Sequence, residues 1–248
     1  MTPEIDIVIP AYNEGRNIVR VLDSLRRDVK TPFRVLICYD FEEDDTLPAI
    51  RAQGNCGVDV RPVRNRDQGP HAAVLSGFAA STAPAVLVFP ADGDYNTARL
   101  DAMAAKIREG FDIVCASRFI PGGAMVGCPW PKAILVRVAA VTLRHLARLP
   151  THDATNGFRM FSRRVVDFIP VESTEGFAYS LELLVKAHRL GWRIAEVPVQ
   201  WFERGSAQGQ SRFKVFRWLP AYLRWYVYAF ATTYLARGPD TVALKAPN

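Results

Sequence analysis

The chain has 248 residues, of which 49% are hydrophobic and 23% are charged. This composition is that of a globular protein rather than a disordered one, and the length suits one large α/β domain or two small ones. The 31 Lys and Arg residues outnumber the 25 Asp and Glu residues. The resulting net charge of +6 favours an anionic partner such as a nucleotide, a phospholipid surface or nucleic acid.

The cysteines and the first residues indicate the compartment. The four cysteines show no C-x-x-C spacing, so the sequence predicts neither a zinc site nor a disulfide framework, and a reducing compartment fits best. Residues 1–10 enter a strand pattern directly, without the basic and apolar regions of a signal peptide. We therefore expect a cytoplasmic protein.

Strand and helix patterns alternate four times in the first part of the chain. Strands are predicted at 5–9, 33–38, 58–63 and 86–89, the first as a buried strand of the parallel type, the third as a short strand and the fourth as the central one. Helices are predicted at about 13–27, 46–52 and 70–80. This alternation predicts an α/β fold with a mainly parallel sheet and right-handed crossovers.

The second part of the chain contains a basic amphipathic segment. Residues 132–149 combine regularly spaced apolar side chains with Lys132, Arg137, Arg144 and Arg148, a pattern typical of an amphipathic helix. The other predicted elements are a helix at about 100–109, a strand at 112–117, a helix at 179–190 and an alternating strand at 193–201.

Residues 213–235 stand out because aromatic side chains surround Arg217 and Arg224. The segment approaches the length of a membrane span, but these two arginines and Pro220 argue against spanning. Aromatic and basic residues together favour a helix that lies in the headgroup region of a membrane. The alternatives are a terminal helix packed on the protein's own core, or a contact with a second copy of the chain.

Polar residues follow several predicted strands at the edge where their carboxyl ends meet. Residues 10–14 follow the first strand, Asp40 follows the second, residues 69–77 begin the next helix, and Asp92 and Asp94 follow the fourth strand. Ligands of open α/β sheets bind beyond these strand ends, so the sequence predicts a nucleotide pocket there. Asp92 and Asp94 suit a bound cation, although Asp-Gly-Asp-Tyr-Asn is also an ordinary turn sequence.

A series of ordered motifs covers about residues 4–213. They are Pro-Ala-Tyr-Asn-Glu at 10–14, Asp-Phe-Glu-Glu-Asp-Asp-Thr at 40–46, Ala-Ser-Arg-Phe-Ile-Pro-Gly-Gly at 116–123 and Asp-Ala-Thr-Asn-Gly-Phe-Arg at 153–159, then Glu182, Pro198, Arg204 and Ser-Arg-Phe at 211–213. With these motifs the chain resembles the inverting family 2 glycosyltransferases of the dolichyl-phosphate mannose synthase type. The resemblance implies a GT-A catalytic domain over 1–212, with a C-terminal helical segment over 213–248.

The sequence departs from the family pattern at two acidic motifs. Tyr39 stands at the first position of a double-Asp loop, so that Asp40 is the carboxylate retained. In the better supported alignment, Pro90 and Asp92 stand at the two carboxylates of an Asp-Ala-Asp motif and Asp94 stands at the following Gln. A shift of two residues instead makes Asp92 and Asp94 the D-x-D motif. Both alignments leave these two residues near the implied metal.

The resemblance also implies roles for individual residues. Asp92 and Asp94 would hold Mg²⁺ or Mn²⁺, which neutralises the charge on the leaving diphosphate. Charge-assisted hydrogen bonds to that diphosphate would come from Arg204 and Arg212. The implied catalytic residues are Asp92, Asp94, Arg118, Arg204 and Arg212. The implied nucleotide-sugar contacts are Pro10, Ala11, Tyr12, Asn13, Glu14, Asp40, Asp92, Arg204 and Arg212.

The implied acceptor is polyprenyl phosphate, with Arg118 and Lys132 facing its phosphate and Val136 where relatives can have a serine. Such an acceptor is already an anion and needs no strong general base. The implied donor is a GDP- or UDP-hexose of the mannose or glucose type, transferred with inversion. We expect the protein to be peripheral at the cytoplasmic face of a membrane, and a homo-oligomer fits the same C-terminal segment.

Two other functions remain open from the sequence. A soluble acceptor would require a base, with Asp153 as a candidate. A nucleotide-sugar-binding protein without turnover is suggested by Pro90 and Tyr39, which replace expected carboxylates. Nucleic-acid binding is disfavoured because the basic residues are dispersed along the chain.

Overall fold

A seven-stranded sheet lies at the centre of this computed structural model, which describes residues 2–54, 57–202, 215–235 and 242–245, with the backbone alone for Asp94 and residues 215–218. The strands are β1 (Ile5–Pro10), β2 (Phe33–Tyr39), β3 (Asp59–Arg64), β4 (Ala85–Val88), β5 (Ile113–Ser117), β6 (Ala124–Val126), β7 (Arg159–Ser162), β8 (Ile194–Pro198) and β9 (Gln200–Phe202). The helices are α1 (Gly15–Asp28), α2 (Thr46–Gln53), α3 (Pro70–Ala80), α4 (Leu100–Arg108), α5 (Trp130–His145), α6 (Arg163–Phe168), α7 (Ala178–Arg189) and α8 (Val215–Tyr234). A 3₁₀ helix, Asp94–Arg99, precedes α4.

The strand order of the sheet places a ligand crevice beside β1. The order is β3-β2-β1-β4-β7-β5-β8, and β7 runs antiparallel to both of its neighbours while the remaining pairs are parallel. The chain moves from β1 outward to β2 and β3, and then returns to the other side of β1 to form β4. Such a reversal opens a crevice at the carboxyl ends of the two strands. The predicted α/β class and the mainly parallel sheet are confirmed.

Two hydrophobic clusters cover the two faces of the sheet, because successive side chains of a strand point to opposite faces. Val8 and Leu36 pack on one face with α3, α7 and α8. Ile7 and Ile37 pack on the other face with α1 and α4. Strands β1, β2, β4 and β5 are therefore buried on both faces, which is typical of parallel sheets, whereas the edge strand β3 is largely exposed.

Helix α3 shows how local sequence sets an element next to the crevice. Gly69 precedes the helix with a φ of 93°, a backbone conformation that glycine adopts readily. Pro70 occupies the first turn, where its missing N–H costs no helical hydrogen bond. The helix covers the residues predicted for it, and its first turn follows the loop at the carboxyl end of β3.

The structure differs from the sequence prediction in the second half of the chain. The single strand predicted at 193–201 is divided by Val199 into β8 of the large sheet and β9, which pairs with β6 in a separate two-stranded sheet. The N–H of Val199 donates to Ser117, while its carbonyl accepts from Ala124, so this residue joins the two sheets. Strand β7 was not predicted, because it has only four residues and begins with the charged Arg159.

Helices α5 and α8 pack side by side and leave apolar side chains exposed. The hydroxyl of Tyr226 donates to Thr142 Oγ1 at 2.7 Å. On α8, Trp225 and Ala229 are buried in the core, whereas Leu223 and Val227 are more than half exposed. The C-terminal helix therefore packs on the protein's own core by one face only. Within the described ranges, no helix is long and apolar enough to cross a membrane.

Candidate functional site

The loops that follow β1 and β2 interlock at the crevice. The backbone N–H of Asn13 donates to Asp44 Oδ2 at 3.0 Å, and the N–H of Glu14 donates to Thr46 Oγ1 at 3.0 Å. Asp44 and Thr46 are fully buried. Asn13 has a φ of 54°, a left-handed conformation that asparagine adopts more readily than most residues. These contacts fix residues 10–14 at the carboxyl end of β1, as the sequence predicts for that strand end.

The side chains of this first loop differ in accessibility. Ala11 is buried beneath the loop, while Tyr12 is 48% exposed. The Tyr12 ring lies 5.4 Å from the ring of Phe41, in an edge-to-face arrangement. The loop after β2 thus supports an aromatic ring at the rim of the crevice, where a planar base could stack.

Asp40 connects the end of β2 to the loop before α3. Its carboxylate accepts hydrogen bonds from the Gly69 N–H at 3.0 and 3.2 Å and from Asn65 Nδ2 at 2.7 Å. The Asn65 Oδ1 atom is buried and has no hydrogen-bond partner among the described residues. Because Asn65 lies 25 residues from Asp40, no local pattern could reveal this contact.

Tyr39 places a neutral group where the family pattern has a carboxylate. Burial raises the pKa of Tyr39, and the adjacent Glu42 acts in the same direction. The hydroxyl donates to Glu42 Oε1 at 3.2 Å. The crevice therefore has one acidic group fewer at this position than the resemblance implies.

A tight turn after β4 positions Asp92. Pro90 and Gly93 close the turn through a 3.1 Å hydrogen bond from the Gly93 N–H to the Pro90 carbonyl. A Cβ atom on Gly93 would lie 2.7 Å from Pro90 Cγ, so the turn requires glycine. Asp92 is half-buried, and Asp94 begins the 3₁₀ helix. The structure describes only the backbone of Asp94.

Strand β9 links this turn to Lys132. Asn96 and Gln200 exchange two hydrogen bonds, with Asn96 Nδ2 donating to the Gln200 carbonyl at 2.8 Å and the Gln200 N–H donating to Asn96 Oδ1 at 3.0 Å. The Tyr95 and Phe202 rings are 5.1 Å apart. The Lys132 Nζ atom lies 4.8 Å from the centre of the Trp201 ring. Sequence reasoning missed the Asn96 contact, which joins residues 104 positions apart.

Arg118 follows β5 at the same edge of the sheet and is held by Asp153. Its backbone N–H and its Nε both donate to Asp153 Oδ2, at 2.9 and 2.7 Å, and its Nη2 donates to Asp153 Oδ1 at 2.8 Å and to Thr155 Oγ1 at 3.0 Å. Asp153 is fully buried. Most donors of Arg118 are therefore engaged within the protein, and Asp153 is an ion-pair partner rather than an accessible base.

The structure thus brings residues 10–14 to the carboxyl end of β1, Asp40 to that of β2 and Asp92 to that of β4. These three strands are neighbours in the sheet. Arg118 lies farther along the same edge. The Lys132 ammonium group lies over the ring of Trp201, a residue of β9. Arg204 and Arg212 lie outside the described residues. Within the described part of the chain, no group of three or more His, Cys, Asp or Glu side chains could hold a metal ion.

The donor set at the turn still fits a hard cation. Mg²⁺ and related ions prefer carboxylate oxygens, and substrate-binding sites commonly supply one or two of them, with phosphate and water oxygens completing the coordination. Asp92 offers such a carboxylate at the crevice. Asp94 lies two residues further along the chain, at the first position of the 3₁₀ helix. The residue types present are therefore compatible with the implied Mg²⁺ or Mn²⁺.

Comparison with known proteins identifies the family. The family model described as glycosyl transferase family 2 matches residues 6–169. The chain belongs to glycosyl transferase family 2. It is therefore a glycosyltransferase, and the alternative of a binding protein without turnover is set aside.

This glycosyltransferase has relatives of similar length. It is 27% identical over 227 residues to the polyprenol monophosphomannose synthase of Mycolicibacterium smegmatis, covering 86% of this chain and 85% of that protein. It is 30% identical over 227 residues to the undecaprenyl-phosphate mannosyltransferase of Micrococcus luteus, covering 85% of this chain and 92% of that protein.

The solved structures similar to this glycosyltransferase confirm the GT-A fold. One is the glucosyl-3-phosphoglycerate synthase of Mycobacterium tuberculosis in complex with Mn²⁺, UDP and glucosyl-3-phosphoglycerate. It matches with a TM-score of 0.64 and 21% identity, covering 93% of this chain and 80% of that one. At this level of identity the likeness concerns the fold alone.

Proposed function

We propose that this glycosyltransferase moves a hexose from a GDP- or UDP-sugar to polyprenyl phosphate, with inversion at the anomeric carbon. The observation that carries the proposal is the similarity, over more than four-fifths of the chain, to two mannosyltransferases whose names specify polyprenol or undecaprenyl phosphate. A single displacement on a phosphate acceptor also agrees with a site in which the buried Asp153 is paired with Arg118.

The donor side of the proposed site consists of residues 10–14, Asp40 and Asp92. Residues 10–14 and Asp40 would bind the nucleotide, since both lie at the ends of the strands beside the crevice. Asp92 and Asp94 would hold Mg²⁺ or Mn²⁺. The ion, when bound, neutralises charge on the leaving diphosphate. Arg204 and Arg212 are proposed to donate hydrogen bonds to the same diphosphate.

The acceptor side is assigned mainly to Lys132. Its ammonium group lies beside Trp201, a residue of β9. The same strand contacts the segment after β4 through Gln200 and Asn96. An ammonium group there would attract the acceptor phosphate and orient an oxygen toward the anomeric carbon. Arg118 is proposed to assist through the part of its guanidinium that does not contact Asp153. Its main contribution would be to hold the loop that follows β5.

We further propose that the protein works at a membrane surface, because a polyprenyl acceptor resides in a bilayer. Helix α5 exposes Ile134 and Val138, and α8 exposes Leu223 and Val227 beside it. Arg224 is also exposed on α8. Exposed apolar side chains next to basic ones are typical of helices that lie in the interfacial region.

The proposed function is tested by transfer to detergent-dispersed polyprenyl phosphate from a panel of GDP- and UDP-hexoses with Mg²⁺ or Mn²⁺. We expect metal-dependent transfer from one donor class, and a loss of at least about a hundredfold in kcat/KM for Asp92→Asn, because a charge that stabilises the leaving group is removed. Asp23→Asn is the matched control, since Asp23 lies on α1 and is half exposed.

Three outcomes would contradict the proposal. Wild-type turnover without any polyprenyl phosphate product would reject the acceptor. Full activity of Asp92→Asn would reject the metal assignment. Retention of the anomeric configuration in the product would reject the single displacement.

A further inference from the structure

A basic pocket lies on the side of α5 that faces the loop after β5. Its volume is about 270 Å³. Four basic side chains and two apolar ones form most of its wall: Arg137, Arg144, His145, His152, Phe119 and Val141. Pockets for complete small molecules usually start near ~300 Å³, so this one suits a phosphate-sized headgroup better than a nucleotide.

The two arginines of this basic pocket keep their charges available. Among the described residues, no carboxylate forms an ion pair with Arg137 or Arg144. The Arg137 guanidinium lies 5.6 Å from the Phe119 ring centre. Arg144 Nη1 donates to the Leu149 carbonyl at 3.3 Å. Guanidinium groups with free donors in a confined space are well suited to phosphate oxygens.

One carboxylate lies near the wall of the basic pocket, but its oxygens are already engaged. Glu196 accepts hydrogen bonds from Thr151 Oγ1 at 2.8 Å and from the His152 N–H at 2.7 Å, and it contacts His152 Nδ1 at 2.7 Å. Its side chain is 12% exposed. Glu196 therefore orients His152, and its hydrogen bonds are with Thr151 and His152 rather than with the two arginines.

An apolar ridge adjoins the pocket on α5. Ile134, Val138 and Val141 follow one another at helical spacing and are each about half exposed. Val141 belongs both to this ridge and to the pocket wall. A phosphate in the pocket would therefore have the exposed apolar surface of α5 on one side. Inorganic phosphate would gain nothing from this surface, whereas a phosphate that carries acyl chains would.

We propose that the basic pocket binds the phosphate headgroup of an anionic membrane lipid, at a site separate from the acceptor phosphate. Phe119 and His152 each directly adjoin one member of the Arg118–Asp153 ion pair. Lipid binding on one side of this pair would dock the protein with its acceptor side against the bilayer. The inference rests on the proposed membrane-surface location and does not depend on the sugar, the metal or the transfer reaction.

Vesicle flotation with two double variants tests the proposal. Arg137→Gln/Arg144→Gln removes two charges from the pocket. Arg26→Gln/Arg61→Gln removes two exposed charges from α1 and β3. On vesicles of phosphatidylcholine and phosphatidylglycerol in equal parts, we expect the pocket variant to bind about 25-fold more weakly than wild type, because each of the two arginines near an anionic surface contributes about a fivefold gain. The control variant should lose less than about twofold.

The outcomes separate this inference from the proposed function. Equal losses in the two variants, or no loss in the pocket variant, would overturn it. Thermal stabilisation by inorganic phosphate that only the pocket variant lacks, without selectivity for phosphatidylglycerol, would assign the pocket to free phosphate. Selectivity for polyprenyl phosphate in phosphatidylcholine vesicles would assign it to the acceptor. Transfer in detergent should be unchanged in the pocket variant, and its absence in wild type would reject the transferase proposal alone.

Discussion

Arg118 and Asp153 connect the loop after β5 to the segment before β7 through three hydrogen bonds. Asp153 has no exposed surface, and the Arg118 side chain is only 9% exposed. In such an enclosed pair, each charge depends on the other, because removing one partner leaves an uncompensated charge in the protein interior.

We therefore expect Asp153→Ala to lower the free energy of unfolding by about 3–5 kcal/mol, measured by urea denaturation. Asp23→Ala, at an exposed position, should change it by less than about 0.5 kcal/mol. A loss of activity in Asp153→Ala with unchanged stability would contradict this assignment and would restore Asp153 as a candidate base for a soluble acceptor.

For single residues, the sequence predicts the position of a residue along a strand or at its end better than it predicts that residue's contacts with distant parts of the chain. The ends of the strands follow from local hydrophobic runs, so Asp40 and Asp92 could be located at the crevice from the sequence. The partners of Asp153 could not, because Arg118 lies 35 residues away and the ion pair depends on how β5 and β7 come together. The part of the site that the sequence left open thus consists of long-range polar contacts.

Among the elements, α3 packs unusually tightly on the sheet through Gly77. A Cβ atom on Gly77 would collide with Val8 Cγ1 and would lie 3.0 Å from Cys38 Sγ. Val8 and Cys38 are fully buried. The glycine therefore allows the helix backbone to approach β1 and β2 directly beneath the crevice.

Gly77→Ala should destabilise the protein by about 1–3 kcal/mol, because overpacking a filled core outweighs the better helix propensity of alanine. The matched change is Ala79→Gly in the same helix, at an exposed position. It should cost no more than about 1 kcal/mol, since only helix propensity is affected. Thermal or urea denaturation of both variants provides the measurement. Stabilisation by Gly77→Ala would show that the helix can move away from the sheet.

The elements of the first half could be predicted because mostly apolar runs alternate with helical patterns. β1 and β2 each contain one charged residue, Asp6 and Arg34, but are long enough for the apolar run to remain recognisable. β7 breaks this rule, because Arg159 is fully buried and bonds to the Ala154 carbonyl and to Ser180 Oγ. A charged residue in a four-residue strand conceals the apolar pattern on which the prediction depends. The two terminal nitrogens of Arg159 bond to residues of other segments, while its Nε has no hydrogen-bond partner among the described residues.

Across the whole molecule, the buried His71 and the partly buried His188 link folding to pH. Burial lowers the pKa of His71, an effect only partly offset by nearby carbonyl groups and Glu182. Burial also lowers the pKa of His188. Both are therefore neutral in the folded protein near pH 7, whereas in the unfolded chain each titrates near its ordinary pKa of about 6.5. Below that pH the unfolded state binds more protons.

Stability should therefore be retained above about pH 6.5 and decline as the pH falls below it, with each histidine adding at most about 1.4 kcal/mol per pH unit. The unfolding midpoint in urea, measured between about pH 7 and pH 5, tests this dependence. The His71→Gln/His188→Gln variant should give a flatter profile. His145→Gln is the control, because that side chain is exposed. Identical profiles for wild type and the double variant would reject the two histidines as the source.

The double hydrogen bond between Asn96 and Gln200 has a consequence for building hybrids of this enzyme with its relatives. The turn that carries Asp92 and the strand beside Lys132 are distant in the chain, yet they are joined by this double hydrogen bond and by the contact between the Tyr95 and Phe202 rings. A chimera that replaces residues 90–99 alone would combine a foreign turn with the native β9. The alignment of the turn segment with β9 would then be lost. Exchange of donor preference between family members therefore requires both segments to be transplanted together.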